Sequence, residues 1–378
     1  MNRIILVFVA TALWFSSYTC VPILTVFAHQ LGASYQMVGL IVGIYGFTQF
    51  ALRIPVGILS EAWGSRKIFI LAGIAASALS GLSIWLFPVV GMLLFSRALA
   101  GVASASWVDF TVLYASYFPK EDAPKAVGYI NSVLFLGSVL GMLAGGYAAQ
   151  LYGYVFPFVM SVIVGGLGLV LAFFLRERRL PPQKAGFQLM RECLRDKNLL
   201  RLSWLGIVVQ GISYVTTLGF VPVVAADLGA GNLELGLLTA VATVPTIFGS
   251  ALSGTFFRRH AGERGTLVIG FVALGLSSFV IPFIPNLSYL YLSQALGGFG
   301  LALTFSPLMG LSIKNFTDEK RSTAMGIYQS MYGLGMFGGP VLTGFLGSNF
   351  GLDWAFWFAG LIGWAGALLT LWRRYLPL

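Results

Sequence analysis

Apolar residues run through this chain in blocks of about 20, each long enough for a helix to cross the ~30 Å hydrocarbon core of a bilayer. Polar positions collect between the blocks. The blocks begin near Ile4, Met37, Phe69, Val90, Val127, Phe156, Leu202, Leu235, Leu267, Leu287, Thr323 and Trp354. The pattern predicts an all-α polytopic membrane protein with twelve transmembrane helices. The connections alternate between two faces. One face takes 21 of the 23 Lys and Arg residues: Arg3, Arg66, Lys67, Lys120, Lys125, the stretch from Arg176 to Arg201, Arg258, Arg259, Arg264, Lys314, Lys320, Arg321, Arg373 and Arg374. Connections on the other face, around His29, Phe87, Tyr152, Asp227, Pro285 and Asp353, carry none. Basic residues gather on the cytoplasmic side of membrane proteins, so both termini and the central loop are expected there.

The chain also repeats itself. Leu31-Gly32-Ala33 matches Leu228-Gly229-Ala230 at an offset of 197, with Gly39, Gly57 and Gly101 matching Gly236, Gly254 and Gly298. At 198, Phe118, Gly128, Ser132, Gly137, Gly141, Gly146 and Gly153 match Phe316, Gly326, Ser330, Gly335, Gly339, Gly344 and Gly351; at 196, Ser17-Tyr18 matches Ser213-Tyr214. A nearly constant offset over six spans predicts two homologous six-helix halves in parallel orientation. Such a repeat places a solute site near the midplane, between the halves. The expected division is an N-terminal bundle over 1–175, a basic linker over 176–201 and a C-terminal bundle over 202–378. The linker breaks at Leu180-Pro181-Pro182. Phe187, Met190 and Leu194 then follow at helical spacing among Arg191, Arg195 and Lys197, a pattern that fits a short interfacial helix or a solvated tether.

Composition narrows the function. The chain is 57% apolar and 10% charged, against ~45–50% and ~25% in soluble domains. Its net charge of +10 is absorbed by the sidedness of the loops, so it signals topology and no nucleic-acid partner. The run after Arg3 lacks a small-residue cleavage site and reads as the first span rather than a signal peptide. Cys20 and Cys193 fall at different membrane levels and are expected unpaired. Two histidines form no metal cluster, and no GxxxxGK[ST] phosphate loop is present. No nucleophile–base set is evident. The chain is expected not to be an enzyme and to need no cofactor or metal.

Between the second and third spans the sequence reads GILSEAWGSRK, Gly57 to Lys67. This resembles the loop signature of the major facilitator superfamily, with Glu61 in place of the usual aspartate and Ala62 and Ser65 in place of usual basic residues. The second-half counterpart, Gly254 to Gly265, keeps Arg258 and Arg259 but has no acid aligned with Glu61. Arg97 to Gly101 is similar to the superfamily's RxxxG motif, and Gly137 to Gly146 to its glycine-rich antiporter motif without the proline; Gly339-Pro340 in the eleventh span carries one. The resemblance implies a twelve-helix secondary transporter, monomeric, in a bacterial or archaeal plasma membrane (the inner membrane of a two-membrane cell). Independently of it, Gly137, Gly141 and Gly145, and Gly335 and Gly339, line helix faces at four-residue spacing, as close helix packing in lipid requires.

Three formal charges fall within spans: Arg53, Arg97 and Asp109. Burying an ion in hydrocarbon costs ~2.5–3.5 kcal/mol even on the lenient insertion scale, so each should face a partner or a wet cavity. Their repeat positions hold Ser250, Gln294 and Ser306. Arg97 and Asp109 lie about 18 Å apart along one helix and cannot pair, whereas the depths of Arg53 and Asp109 predict a pair between those two. Arg53, Arg97, Asp109 and Glu61 are the coupling or gating candidates; the resemblance ties the Arg97 motif to proton transfer or anion contact. For solute binding, Gln210, Ser213, Tyr214 and Thr217 follow one face of the seventh span, and Trp14, Ser17 and Tyr18 the matching face of the first. Tyr45 and Gln49 share a stripe with Arg53, and Asn131, Gln294 and Gln329 complete the set. The expected activity is alternating-access transport of a small organic solute, proton-coupled rather than sodium-coupled. The solute would be partly apolar or a weak organic anion, and either efflux or uptake is compatible. A lipid flippase or a non-transporting sensor is the alternative on the same scaffold.

Overall fold

In hydrocarbon each backbone polar group must find its partner within the protein, which for a chain of this composition leaves helices as the spanning element. The computed structural model describes residues 2–119, 122–177 and 186–372, and among them no strand occurs. Ten stretches are long and apolar enough to cross a bilayer. One of them, Asn232–Phe279, runs for 48 residues and holds two spans, because Gly262 at φ 70° turns the chain inside it. The helix Asp318–Phe350 supplies the twelfth span. In order the spans are Asn2–Gln30, Tyr35–Trp63, Lys67–Leu86, Val90–Ser116, Ala123–Tyr152, Phe156–Phe173, Lys197–Asp227, the two halves of Asn232–Phe279, Leu287–Ile313, Asp318–Phe350 and Leu352–Leu371. The expectation of an all-α, twelve-helix membrane protein holds.

The internal repeat is written in the backbone. Positive φ occurs only at six glycines among the described residues, and they form three pairs: Gly32 and Gly229, Gly64 and Gly262, Gly153 and Gly351. Each pair sits 197 or 198 residues apart, at the offset read from the sequence. The first pair closes matching turns: Ala33 N–H donates to Ala28 O at 3.0 Å, and Ala230 N–H to Ala225 O at 2.9 Å.

Small residues set how the helices meet. The four-residue glycine stripes pack inside each bundle, Gly141 against the Phe15 carbonyl of the first span and Gly339 against the Gly211 carbonyl of the seventh. A β-carbon at either would come within 2.6 Å of that oxygen. Other glycines join the two bundles. Gly39, Gly43 and Gly46 of the second span lie on Pro340, Phe337 and Gly333 of the eleventh, and Gly146 of the fifth on Gly236 of the eighth. Gln36 N–H donates to Ser348 Oγ at 3.2 Å and Asn232 N–H to Gln150 Oε1 at 3.0 Å. All these contacts belong to the half of the molecule away from the basic loops. Toward the basic face the bundles part: Gly57, Gly254, Gly128 and Gly326, two repeat-related pairs, have open space where a β-carbon would stand.

After the sixth span the chain returns as a helix over Gly186–Cys193. The Leu180-Pro181-Pro182 break and the side chain of Phe187 lie outside the described residues. Cys193 is fully buried, Met190 packs against the core and Leu194 is exposed. Glu192 accepts an ion pair from Lys320 of the eleventh span at 2.8 Å, so the helix docks on the C-terminal bundle. Both cysteines are free, as expected.

Candidate functional site

Two helices break where the bundles meet. The first span is helical to Tyr18, loses its pattern at Thr19 and Cys20, and resumes through a 3-10 turn over Val21–Ile23. The seventh is helical to Val215 and passes through a π-helical turn over Thr216–Phe220. In each case the helix beyond the break carries a proline, Pro22 or Pro222, near its start, where the missing N–H costs nothing. π-helical turns interrupt the regular ladder and are frequent at functional sites. Here the repeat-related Tyr18 and Tyr214 close the two unbroken segments and face the same space.

Arg97 fills that space from the fourth span. Its guanidinium carbon lies 4.6 Å from the centre of the Tyr45 ring, and Tyr45 stacks on Tyr214 across the bundle interface at 6.1 Å and 17°. A cavity of about 10 Å³ remains, lined by Tyr18, Val21, Leu24, Val42, Arg97, Tyr214 and Leu218, room for roughly one water molecule. Arg97 is 5% exposed, and among the described residues its Nε has no hydrogen-bond partner. Trp14 packs edge-on against Trp107 at 5.2 Å and beside Tyr18 at 5.7 Å. One turn further along the second span Gln49 is buried, with Oε1 unpartnered. Arg53 then donates from Nη1 to Tyr332 Oη of the eleventh span at 3.0 Å, the last polar bridge before the bundles part.

Other expected residues lie around this centre. Thr217 donates to Gln294 Oε1 at 2.9 Å, and Gln210 and Ser213 are buried on the seventh span. Ser17 is engaged within its own bundle, 3.0 Å from Ser77 Oγ of the third span. Asn131 is half-buried and Gln329 approaches the Met309 sulfur at 4.0 Å; neither lines the cavity.

The expected Arg53–Asp109 pair is not formed. Asp109, fully buried, pairs with Arg66 of the loop at 3.2 Å, while Arg53 is turned across the interface to Tyr332. Glu61 is on the surface, 3.8 Å from the same Arg66. Glu177 completes this network from the end of the sixth span: it accepts from Ser65 Oγ at 2.9 Å and from the backbone N–H groups of Arg66 and Lys67. These N–H groups open the third helix, where a carboxylate is favoured by the helix dipole. Among the described residues Asp109 Oδ2 is buried and makes no hydrogen bond, with the Ser60 side chain beside the carboxyl.

The tandem repeat shows again in the comparison with known families, where one model matches each half of the chain. The Major Facilitator Superfamily model matches residues 6–223 and 203–378. The chain belongs to the major facilitator superfamily. The inner membrane transport protein YajR of Escherichia coli is 25% identical over 88% of this chain and 74% of its own length. The multidrug resistance protein MdtG of Proteus mirabilis is 24% identical over 90% and 88%. Among solved structures, a bacterial homolog of the human lysosomal transporter Spinster, in an inward-facing and unoccupied conformation, superposes with a TM-score of 0.78. It is 18% identical, over 100% of this chain and 97% of that one.

As a superfamily transporter, this chain keeps the loop network in both halves with different acids. Where the second-half loop lacks an acid aligned with Glu61, Glu263 holds Arg258 at 3.3 Å and Lys314 at 3.0 Å. Sequence reasoning missed Glu263, Arg66 as the partner of Asp109, Trp107 and Tyr332. The Tyr328–Tyr332 spacing in the eleventh span was the available signal for the last of these.

Proposed function

We propose that the protein is a proton-coupled secondary transporter that carries a small organic solute, partly apolar or a weak organic anion, by alternating access. The observation that carries this reading is the meeting of two repeat-related helix breaks, after Tyr18 and Tyr214, over Arg97, in a molecule whose bundles are joined on one face only. Breaks in both bundles let each half-helix tilt without unpacking the rest. The working unit is one chain, with an N-terminal bundle over 1–175, a linker over 176–201 and a C-terminal bundle over 202–378. The sided basic charge supports a reading with both termini in the cytoplasm, and the family resemblance one in the plasma membrane; on that reading the basic face, where the bundles part, is the inward one. The Tyr18, Tyr45, Tyr214, Gln49 and Gln294 side chains contact solute. Arg53 and Tyr332 form the inner limit of the closed interface. Asp109 carries the coupling proton on Oδ2, the oxygen that protonation deprives of no hydrogen bond, and Arg66 and Glu61 report its charge to the loop.

Proteoliposomes with an imposed pH gradient test this. A panel of labelled organic anions and drug-like compounds should contain one that accumulates with the gradient and exchanges without it; the sign of the gradient gives the direction. Asp109→Asn should abolish accumulation and spare exchange. Unchanged accumulation in that variant removes Asp109 from the mechanism. Scrambling of labelled lipid with no solute flux would replace the transporter reading with the flippase one.

A further inference from the structure

The ninth and twelfth spans cross closely at mid-length and part toward the far face. At the crossing, a β-carbon on Gly360 would stand 2.9 Å from the Gly275 carbonyl, and one on Gly363 2.8 Å from the Gly275 Cα. Beyond it the facing residues are rings. Phe279 and Phe283 come from the end of the ninth span and the 3-10 turn after it, and Trp354, Trp357 and Phe358 from the first turns of the twelfth. Phe283 lies 6.0 Å from Trp357, and Trp354 5.3 Å from the same ring. Too bulky to mesh as the glycines do, these side chains leave a groove of about 470 Å³, which Leu361 completes. Both spans pack within the C-terminal bundle, and Phe283 and Trp354 are 66% and 58% exposed, so the groove opens to the bilayer. From Trp354 to Leu361 its wall runs about 10 Å along the helix, on into the hydrocarbon past the headgroup level where aromatic belts sit.

We propose that this groove holds one acyl chain of a membrane lipid whose headgroup carries a primary ammonium, and that Asp353 binds that ammonium at the mouth. Asp353 is exposed and precedes Trp354 in the first turn of the twelfth span. It is the one charged residue in the two connections that frame the groove, Val280 to Asn286 and Ser348 to Asp353. The connections of the far face carry no Lys or Arg, so the counterion has to come from outside the chain. Hydrocarbon is as apolar as the groove, so an acyl chain gains packing there and nothing from the hydrophobic effect. Discrimination among lipids therefore falls to the headgroup. A carboxylate accepts a charge-assisted hydrogen bond from a primary ammonium; a quaternary ammonium has no N–H to donate, and an anionic headgroup is repelled. The rings meet at 31° to 77°, an irregular wall that a flexible chain follows and a rigid fused-ring lipid does not. Both spans belong to one bundle, so the lipid would travel with it. The proposal is independent of the solute and of the coupling ion.

The test is tryptophan fluorescence of the full-length protein in phosphatidylcholine vesicles that contain a titrated fraction of lipid brominated on its acyl chains, since bromine quenches an indole it touches. Trp357, half-buried in the groove wall, is read as the difference between the parent and Trp357→Phe. Brominated phosphatidylethanolamine, phosphatidylcholine and phosphatidylglycerol are compared. Phosphatidylethanolamine should reach half-maximal quenching at an about tenfold lower fraction than phosphatidylglycerol, the discrimination of about 1.4 kcal/mol, with phosphatidylcholine between them. Asp353→Asn should bring the three lipids within about twofold of one another, and Asp353→Lys should place phosphatidylglycerol first. Leu361→Phe narrows the groove and should weaken quenching by all three. Equal quenching by the three lipids in the parent would overturn the proposal and leave an ordinary lipid-facing wall. A phosphatidylethanolamine preference that survives Asp353→Asn would overturn it by moving the headgroup contact elsewhere, and undiminished quenching in Leu361→Phe would overturn the seat of the chain. Solute flux in vesicles is a separate readout, so failure here leaves the transporter reading standing.

Discussion

Asp109 has no exposed surface and, among the described residues, a single ion-pair partner, Arg66 at 3.2 Å, so variants that dissect the pair should separate cleanly. Arg66→Ala leaves a buried carboxylate alone and should cost ~3–5 kcal/mol, whereas Arg66→Ala with Asp109→Asn should regain most of that loss. Chemical denaturation in detergent checks both, and additive losses would show that the pair is not coupled. The sequence reading sent Asp109 to Arg53 instead, and the second half explains the error. At the repeat positions of those residues, Ser250 and Ser306 do bond, 2.9 Å apart. The two backbone sites are therefore neighbours, as their depths implied. An arginine is far longer than the gap a pair of hydroxyls closes, so Arg53 reaches on to Tyr332, and Asp109 is free for an arginine from the loop. Depth along a helix is legible in a sequence; the direction of a long side chain is fixed only by what surrounds it.

Elements were more legible than contacts, and for a physical reason. Span length follows from bilayer thickness and the repeat from glycines that the turns demand, such as Gly32 and Gly229 at φ 87° and 90°; both constraints act on composition directly. The helix breaks beyond Tyr18 and Val215 left only Pro22 and Pro222 as traces, because a 3-10 turn in one span and a π-helical turn in the other depend on packing more than on composition. The interface between the bundles should be adjustable at one residue. A β-carbon on Gly146 would stand 2.9 Å from the Gly236 Cα, so Gly146→Val should hold the far face apart. Cys20, buried beneath that closure, is the reporter: in a Cys193→Ser background, its alkylation by a membrane-impermeant maleimide added to the far face should quicken about tenfold, a shift of 1.4 kcal/mol. An unchanged rate would mean that the fifth and eighth spans do not set the closure. The linker helix offers a second reporter. Burial, the largest cause, pushes the Cys193 thiol above its ordinary pKa, with Lys320 opposing. In a Cys20→Ser background its alkylation should therefore lag a free thiol at pH 8 and keep rising at pH values where a free thiol has levelled. Lys320→Ala removes an opposing cation but also the ion pair to Glu192. The loss of docking should dominate, and the rate should rise.

Alternating access requires that the two bundles exchange one joined face for the other, and the whole-molecule consequence can be tested by forbidding the exchange. The outermost bridge on the joined face is the 3.2 Å bond from Gln36 N–H to Ser348 Oγ, which ties the second span to the eleventh where both backbones run close enough for Gly344 to meet the Tyr35 carbonyl. Disulfides need two Cα atoms within about 7 Å, and a 3.2 Å bond from the Gln36 backbone to the Ser348 side-chain oxygen holds their Cα atoms within roughly that limit. In a protein lacking Cys20 and Cys193, Gln36→Cys with Ser348→Cys should therefore cross-link under mild oxidation. Solute exchange in proteoliposomes should then stop and return on reduction. Ligand binding should survive, because the cavity at Arg97 keeps its lining from both bundles in the joined arrangement and the parted basic face still admits solute. This combination, binding kept and exchange lost reversibly, distinguishes a rocking transporter from a channel, in which a bond between two packed helices would leave the path open. Exchange that continues through the oxidised protein would mean that the bundles need not separate on the far face, and the central arginine site would then have to be reached by some route other than the interface.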